Sequence, residues 1–342
     1  MTTAVFHERE LTSPVNLCTP KGLLNPEAVG WAKRPLINAN LRGRWLAKKR
    51  WNYWAVTTKT HLFSVTISNV DYIGMVFLYF GDFERGEVQE KTIITLLGAG
   101  VQMPTGVMEN VAFQNNSADI QLLQKDEGVQ IKASIPDFEG EPLTASFDIL
   151  YPAGHETLNV VIPWDERTFQ FTAKHNTLPA QGSVRIGSRE VVFEGQNSFA
   201  CLDFGRGIWP RRCVWNWGSA SGIEGGHKVG MNLGGQWTDG TGMTENALCI
   251  DGKLTKISED LSWEYDRSDY KAPWKISTPH TDRISLTFTP FLERCAATKV
   301  GPLESEVHQM FGRYQGTIRP QEGGTILISD LIGWAEDHQA VW

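Results

Sequence analysis

The sequence predicts an all-β fold: two β-barrels or sandwiches in tandem, made by an internal duplication, with very little helix. Three observations predict it. Short β-branched and aromatic runs recur along the chain, with Gly, Pro, Asn and Asp between them. One pattern of Trp, Arg and Asn occurs twice. Only one short segment reads as helix.

That helix signal comes first. Asn25 is a candidate N-cap, Pro26 fits the first helical position and Glu27 places an acid in the first turn, leading into "AVGWAK". Strands then follow closely. "WNYWAVTT" (51–58), "LFSVTISNV" (62–70) and "IGMVFLYF" (73–80) are separated by short breaks, and similar runs continue to Trp164. The second half repeats the character with "CVWNWGSA", "KVGMNLGGQW", "NALCIDGKLTKI", "RISLTFTPF" and "TILISDL". Roughly twenty strand candidates result, at the spacing of barrels and sandwiches.

The duplication rests on ordered blocks. "RGRWLAKKRWN" (42–52) and "RGIWPRRCVWN" (206–216) share Arg-Gly-x-Trp, five residues, then Trp-Asn. At this offset Arg42 matches Arg206, Trp45 matches Trp209, Trp51 matches Trp215 and Asn52 matches Asn216. "IGM" at Ile73 resembles "VGM" at Val229, and His175 and His308 each precede a Gln-Gly step. The expected division falls near Gln196, into domains 1–196 and 197–342. Closing each copy removes exposed sheet edges, so a pair of lipocalin-like barrels is the expected architecture.

Composition narrows the function. The 342 residues carry a net charge of −7, which disfavours a general nucleic-acid or anionic-membrane surface. No apolar run approaches the ~20 residues of a membrane span. The N-terminus shows no secretory pattern, and five scattered cysteines without a Cys-x-x-Cys pair read as reduced core thiols of a cytoplasmic protein. No metal signature, dinucleotide fingerprint, P-loop or nucleophile elbow occurs, so neither metal nor cofactor is expected. Thirteen Trp are the unusual component, suited to thick cores or to an indole-lined pocket.

Asp203 is the most informative acid. At the repeat offset it faces Ala39, so it reads as a feature of one copy only. Arg206, three residues on, is its expected electrostatic partner; a loop-pinning salt bridge is the structural alternative. Trp215 and Trp217 alternate with Asn216, which puts both indoles on one strand face. Such a face holds an apolar chain, stabilises a cation through the ring quadrupole or stacks on a sugar. Trp209 joins this candidate wall, while Trp45 and Trp51 read as structural. Glu245 and Asn246 open a strand, and Glu245 is a candidate second acid. His227 has no repeat partner and is the preferred functional His. "GWAEDHQAVW" at the C-terminus reads as a solvated end, and Asp251-Gly252 as a hairpin turn. An acid pair suits hydration, dehydration, cyclisation or glycoside cleavage, because each needs a proton donor near a base.

"LDFGRGIWP…WNWGSASG", "DGTGMTENALCIDGKLTKI", "HQMFGRYQGTI" and "GWAEDHQAVW" together resemble the bacterial family called domain of unknown function 2804, over nearly the whole chain. More distantly, the layout is similar to the carotenoid 1,2-hydratase and tocopherol cyclase relatives. That resemblance implies two lipocalin-like domains. The expected function is a cofactor-independent, acid-catalysed hydratase, dehydratase or cyclase acting on an apolar or isoprenoid-like small molecule. A hydrophobic-ligand carrier and a carbohydrate-active enzyme are the alternatives.

Overall fold

The computed structural model describes residues 7–342, and nearly all of its regular structure is strand. The expected helix shrinks to a single 3₁₀ turn, Pro26–Ala28. Its cap forms as expected, with the Asn25 side chain accepting from the Glu27 N–H at 3.2 Å. The turn stops there because Trp31–Ala32 is drawn into strand pairing with Leu158–Pro163.

Two curled sheets carry the fold. The first runs through Glu87–Leu96, Ile73–Asp82, His61–Asn69, Lys48–Thr57, Phe199–Ile208, Phe169–Ile186, Glu141–Leu150, Gly128–Phe138, Ala118–Lys125, Val111–Asn115 and Val101–Gln102, each bonded to the next. The second runs through Lys253–Ile257, Asn246–Ile250, His227–Gly235, Arg212–Glu224, Ile326–Val341, Leu303–Ile318, Ile284–Val300, Trp274–Ser277 and Ser262–Glu264. Strand Glu141–Leu150 alternates buried and exposed residues along its length, the signature of a sheet with one wet face.

The duplication is visible as topology. In each sheet the copy's opening strand (Lys48–Thr57 or Arg212–Glu224) pairs with its closing strand (Phe199–Ile208 or Ile326–Val341). The closing strands in turn pair with Phe169–Ile186 and Leu303–Ile318, which carry the matched His175 and His308. The Ile73 and Val229 blocks, by contrast, fall on the third strand of one copy and the second of the other. They are not equivalent. The sheets change at Trp209–Arg211, and Phe199–Ile208, placed after the expected division at Gln196, completes the first sheet.

Each barrel interior is filled by side chains. Trp54, Val56, Phe63 and Phe147 pack in the first, and Met231, Trp274, Phe288 and Tyr314 in the second. Strand alternation therefore sends Tyr53 and Ala55 outward from the first barrel and Trp217 outward from the second, and these outward residues meet. Tyr53 contacts Trp217 and Trp334 edge-on, with ring centroids 5.4 and 6.1 Å apart. A bulge between His175 and Leu178 makes a second contact. It pushes Asn176 and Thr177 against the other sheet, where the Asn176 amide donates to Ser219 Oγ at 2.9 Å and to the Met231 carbonyl at 3.2 Å.

Gly230 makes room for this knuckle. A Cβ there would lie 2.7 Å from Thr177 Cγ2 and 2.8 Å from Asn176 Cβ. Gly230→Ala should therefore destabilise the protein by about 1–3 kcal/mol through overpacking, measured by urea denaturation. Unchanged stability would mean that the knuckle does not bear on barrel docking.

Candidate functional site

The outward faces enclose a cavity of about 200 Å³ between the barrels. Trp51, Trp209, Trp215, Trp217, Trp237 and Trp342 line it, with Tyr53 and Tyr79. Trp209 is the hub: it stacks on Trp237 with centroids 5.2 Å apart and meets Trp51 and Trp215 edge-on. Trp209, Trp217 and Trp237 have their indole N–H groups partnered, whereas Trp342 Nε1 is buried with no hydrogen-bond partner among the described residues. Trp209 donates to Gln170 Oε1 at 2.7 Å, Trp217 to Asn232 Oδ1 at 2.8 Å and Trp237 to Glu245 Oε1 at 2.7 Å. The hydrogen-bonding needs of Trp209, Trp217 and Trp237 are met in the wall, so what these three offer a ligand is apolar area and π-face.

A buried ammonium sits at one end. Lys174 lies directly across the strand pair from Asp203. Its Nζ is 3.0 Å from Asp203 Oδ2 and 3.0 Å from Glu245 Oε2. It also lies 4.4 Å from the centre of the Trp217 ring. Thr172 Oγ1 donates to the other Asp203 oxygen at 3.3 Å. Burial pulls the Lys174 amine down, but Asp203 and Glu245 together hold it above the usual lysine value. Burial raises Glu245; Lys174 opposes that rise and Asp203 adds to it.

A third acid faces the same cavity. Glu336 is buried on the closing strand of the second copy. Its oxygens accept from Trp215 Nε1 at 3.0 Å and Gln309 Nε2 at 3.2 Å. Burial pushes its carboxyl up to about 7, against the Trp215 hydrogen bond and Lys174, while Asp203 pushes the same way as burial. Two residues on, His338 lines the cavity and packs on Trp215 with ring centroids 3.9 Å apart. Burial holds its imidazole at about 3, so it stays neutral.

Glu336 is the topological twin of Asp203. Asp203 lies opposite Tyr53, and Glu336 lies opposite Trp217. Tyr53 and Trp217 each follow the repeated Trp-Asn pair. The Ala39 match was thus misleading, because it compared a loop with a strand that closes its own copy.

The cavity gathers Asp203, Glu245, Trp209, Trp215 and Trp217 as expected, and leaves the other candidates outside. Arg206 is not the partner of Asp203, since three residues along a strand reverses the face. Its buried guanidinium donates to the Trp51 and Gly205 carbonyls, to Asn52 Oδ1 and to the Pro104 carbonyl. Asn216 turns into the second barrel, bonding Tyr265, Gln236 and the Glu336 carbonyl. Asn246 ties the Gly234 N–H to the Glu259 carbonyl. His227 is exposed on a hairpin, 2.7 Å from Asp251. Trp51 lines the cavity, Trp45 is exposed, and Cys295 is an exposed thiol rather than a core one. Sequence reasoning missed Lys174, Glu336 and His338. The available signal was the alternation of Glu336 and His338 in "AEDHQ", which puts both on one face and Asp337 on the other.

A lipocalin-like double barrel with an indole-lined cavity between its halves is the class that this fold and site define. Within it, the chain belongs to the family domain of unknown function (DUF2804), whose sequence model matches residues 8–342. Among solved structures it is similar to CghA (TM-score 0.52, 10% identity, covering 86% of this chain and 88% of that one). It is equally similar to CghA with Sch210972 (0.51, 9%, 86% and 89%). A putative AttH from Nitrosomonas europaea gives 0.50 and 14%, covering 85% and 92%. At these identities the likeness is one of fold. No curated protein matches the sequence.

The raised Glu336 carboxyl has a stability consequence. Between its ordinary 4.5 and about 7 the folded chain keeps a proton that the unfolded chain has lost. Stability therefore falls as pH rises through that window, by roughly 3 kcal/mol in all. Glu336→Gln should remove this part of the slope, which urea denaturation at about pH 5 and about pH 8 would measure. An unchanged slope would place the Glu336 pKa near its ordinary value.

Proposed function

We propose that this protein is a cofactor-independent acid–base catalyst that hydrates, dehydrates or cyclises a compact apolar molecule between its barrels. One observation carries the reading: Glu336, buried and hydrogen-bonded by the Trp215 indole N–H, has a carboxyl poised near neutral pH. An acid whose pKa matches the working pH is an efficient proton donor. Glu336 protonates an alkene carbon or a departing hydroxyl. The cationic centre that forms lies against the faces of Trp215 and Trp217. Asp203, ion-paired with the adjacent Lys174 ammonium, takes a proton from the neighbouring carbon or from the attacking water. The sequence assigned the donor role to Asp203; its ion pair suits it better to the base role.

The test uses a panel of short isoprenoid alkenols, with Trp fluorescence for binding and product analysis for turnover. Glu336→Gln and Asp203→Asn should each lower kcat by about 10²–10⁴-fold with little change in affinity. Wild-type kcat should fall as pH rises through about 7, as the acid loses its proton. Undiminished turnover in Glu336→Gln would remove the acid role. Saturable binding without turnover in wild type would make the protein a carrier.

A further inference from the structure

Three loops meet at the end of the first barrel where strand Lys48–Thr57 begins. The Lys48 N–H bonds Asp71 Oδ2 at 3.2 Å, joining the 43–48 loop to the 70–73 turn. The Leu97 N–H bonds the Tyr72 carbonyl at 2.9 Å, joining that turn to the 96–98 turn. Apolar side chains crown these loops and face solvent: Trp45 is 70% exposed, Leu46 44%, Leu96 75% and Leu97 59%. Leu46 and Leu97 hold φ of 75° and 50°, a left-handed backbone that bulky residues rarely adopt. The chain thus keeps large apolar groups at turn tips, where Gly or Asn would cost less.

The same loops are basic. Arg42, Arg44, Lys48 and Arg50 stand against one acid, Asp71, with Lys49 buried beneath them. Arg44 also reaches the Arg167 carbonyl at 2.7 Å, and that neighbouring turn adds Asp165, Glu166 and Arg167. The end remains net positive on a chain whose total is −7. Arg42 and Arg44 are exposed beside Trp45, which places positive charge next to apolar tips. Clustered exposed apolar residues mark an interaction site. Trp and Leu at protruding tips, flanked by Arg and Lys, match the headgroup boundary of an anionic bilayer, where each group finds its own layer.

We propose that this end of the first barrel docks on an anionic lipid surface, with Trp45, Leu46, Leu96 and Leu97 entering the headgroup region. Arg50 and Val70, which belong to these loops, also line the cavity between the barrels. Docking therefore brings the cavity rim to the bilayer, a direct source of apolar ligands. This attachment is independent of the chemistry proposed for Glu336.

Vesicle flotation of the full chain tests it, using phosphatidylcholine alone and phosphatidylcholine mixed with phosphatidylglycerol. The expected result is binding to the mixed vesicles only, weakened by added salt. Trp45→Ser combined with Leu97→Ser should lower affinity about tenfold or more. Arg44→Glu should lower it on mixed vesicles while thermal unfolding stays as in wild type. Equal binding to both vesicle types would overturn the charge argument. Failure of wild type to float would overturn the proposal. So would a concentration-dependent dimer abolished by Trp45→Ser, since a second copy would then be the occupant.

Discussion

The arrangement depends on one buried ammonium. Lys174 projects from the first sheet with almost no access to water, and a lone charge in that position would be strongly disfavoured. It is tolerated because two carboxylates meet it, one from each barrel: Asp203 from its neighbouring strand and Glu245 from the entrance to Asn246–Ile250. The Asp203 contact lies within the first sheet and the Glu245 contact reaches across from the second, so the Lys174–Glu245 pair ties the barrels to each other. Glu245 is itself held by Trp237, and Trp237 stacks on Trp209. The ion cluster and the indole wall are in this way one connected structure.

Duplication explains how two acids came to face one cavity. The twin closing strands bring Asp203 and Glu336 to equivalent places, one on each barrel. Their surroundings then separate them. Asp203 faces an ammonium, whereas Glu336 faces an amide and an indole. The burial that raises the Glu336 carboxyl to about 7 suits it to give up a proton near neutral pH, as a donor must. The Gln309 amide suits either state of Glu336, since a rotated amide presents its oxygen to a protonated carboxyl.

The fold was legible because strand alternation and turn chemistry are local. The repeated Trp-Asn pair and the matched His175 and His308 pointed to equivalent strands, as the topology bears out. The "IGM" and "VGM" blocks did not, because three residues of glycine between aliphatics recur readily in strands. The site was half legible. Asp203, Glu245, Trp209, Trp215 and Trp217 reach the cavity. Arg206 was misread through strand parity, which puts residues three apart on opposite faces. Lys174 was hidden beside the conspicuous His175, and Glu336 in a polar run that resembles a solvated terminus. Burial of that run is a non-local event: the Trp215 strand lies beside it and the first barrel covers it. No window of sequence around Glu336 contains this information.

Locating the cavity between the barrels has a mechanical consequence. The interiors are packed, so a ligand must use the seam. Asp203 belongs to one side of that seam and Glu336 to the other. Their separation is therefore set by docking contacts rather than by either sheet alone. The Asn176–Thr177 knuckle, the Tyr53–Trp217–Trp334 cluster and the Lys174 ion pairs all act on the same distance. Loosening any of them widens the gap between the proposed acid and base, and proton transfer is sensitive to displacements well under the size of an atom. In this architecture the contacts that hold the barrels together and those that position the chemistry are the same contacts.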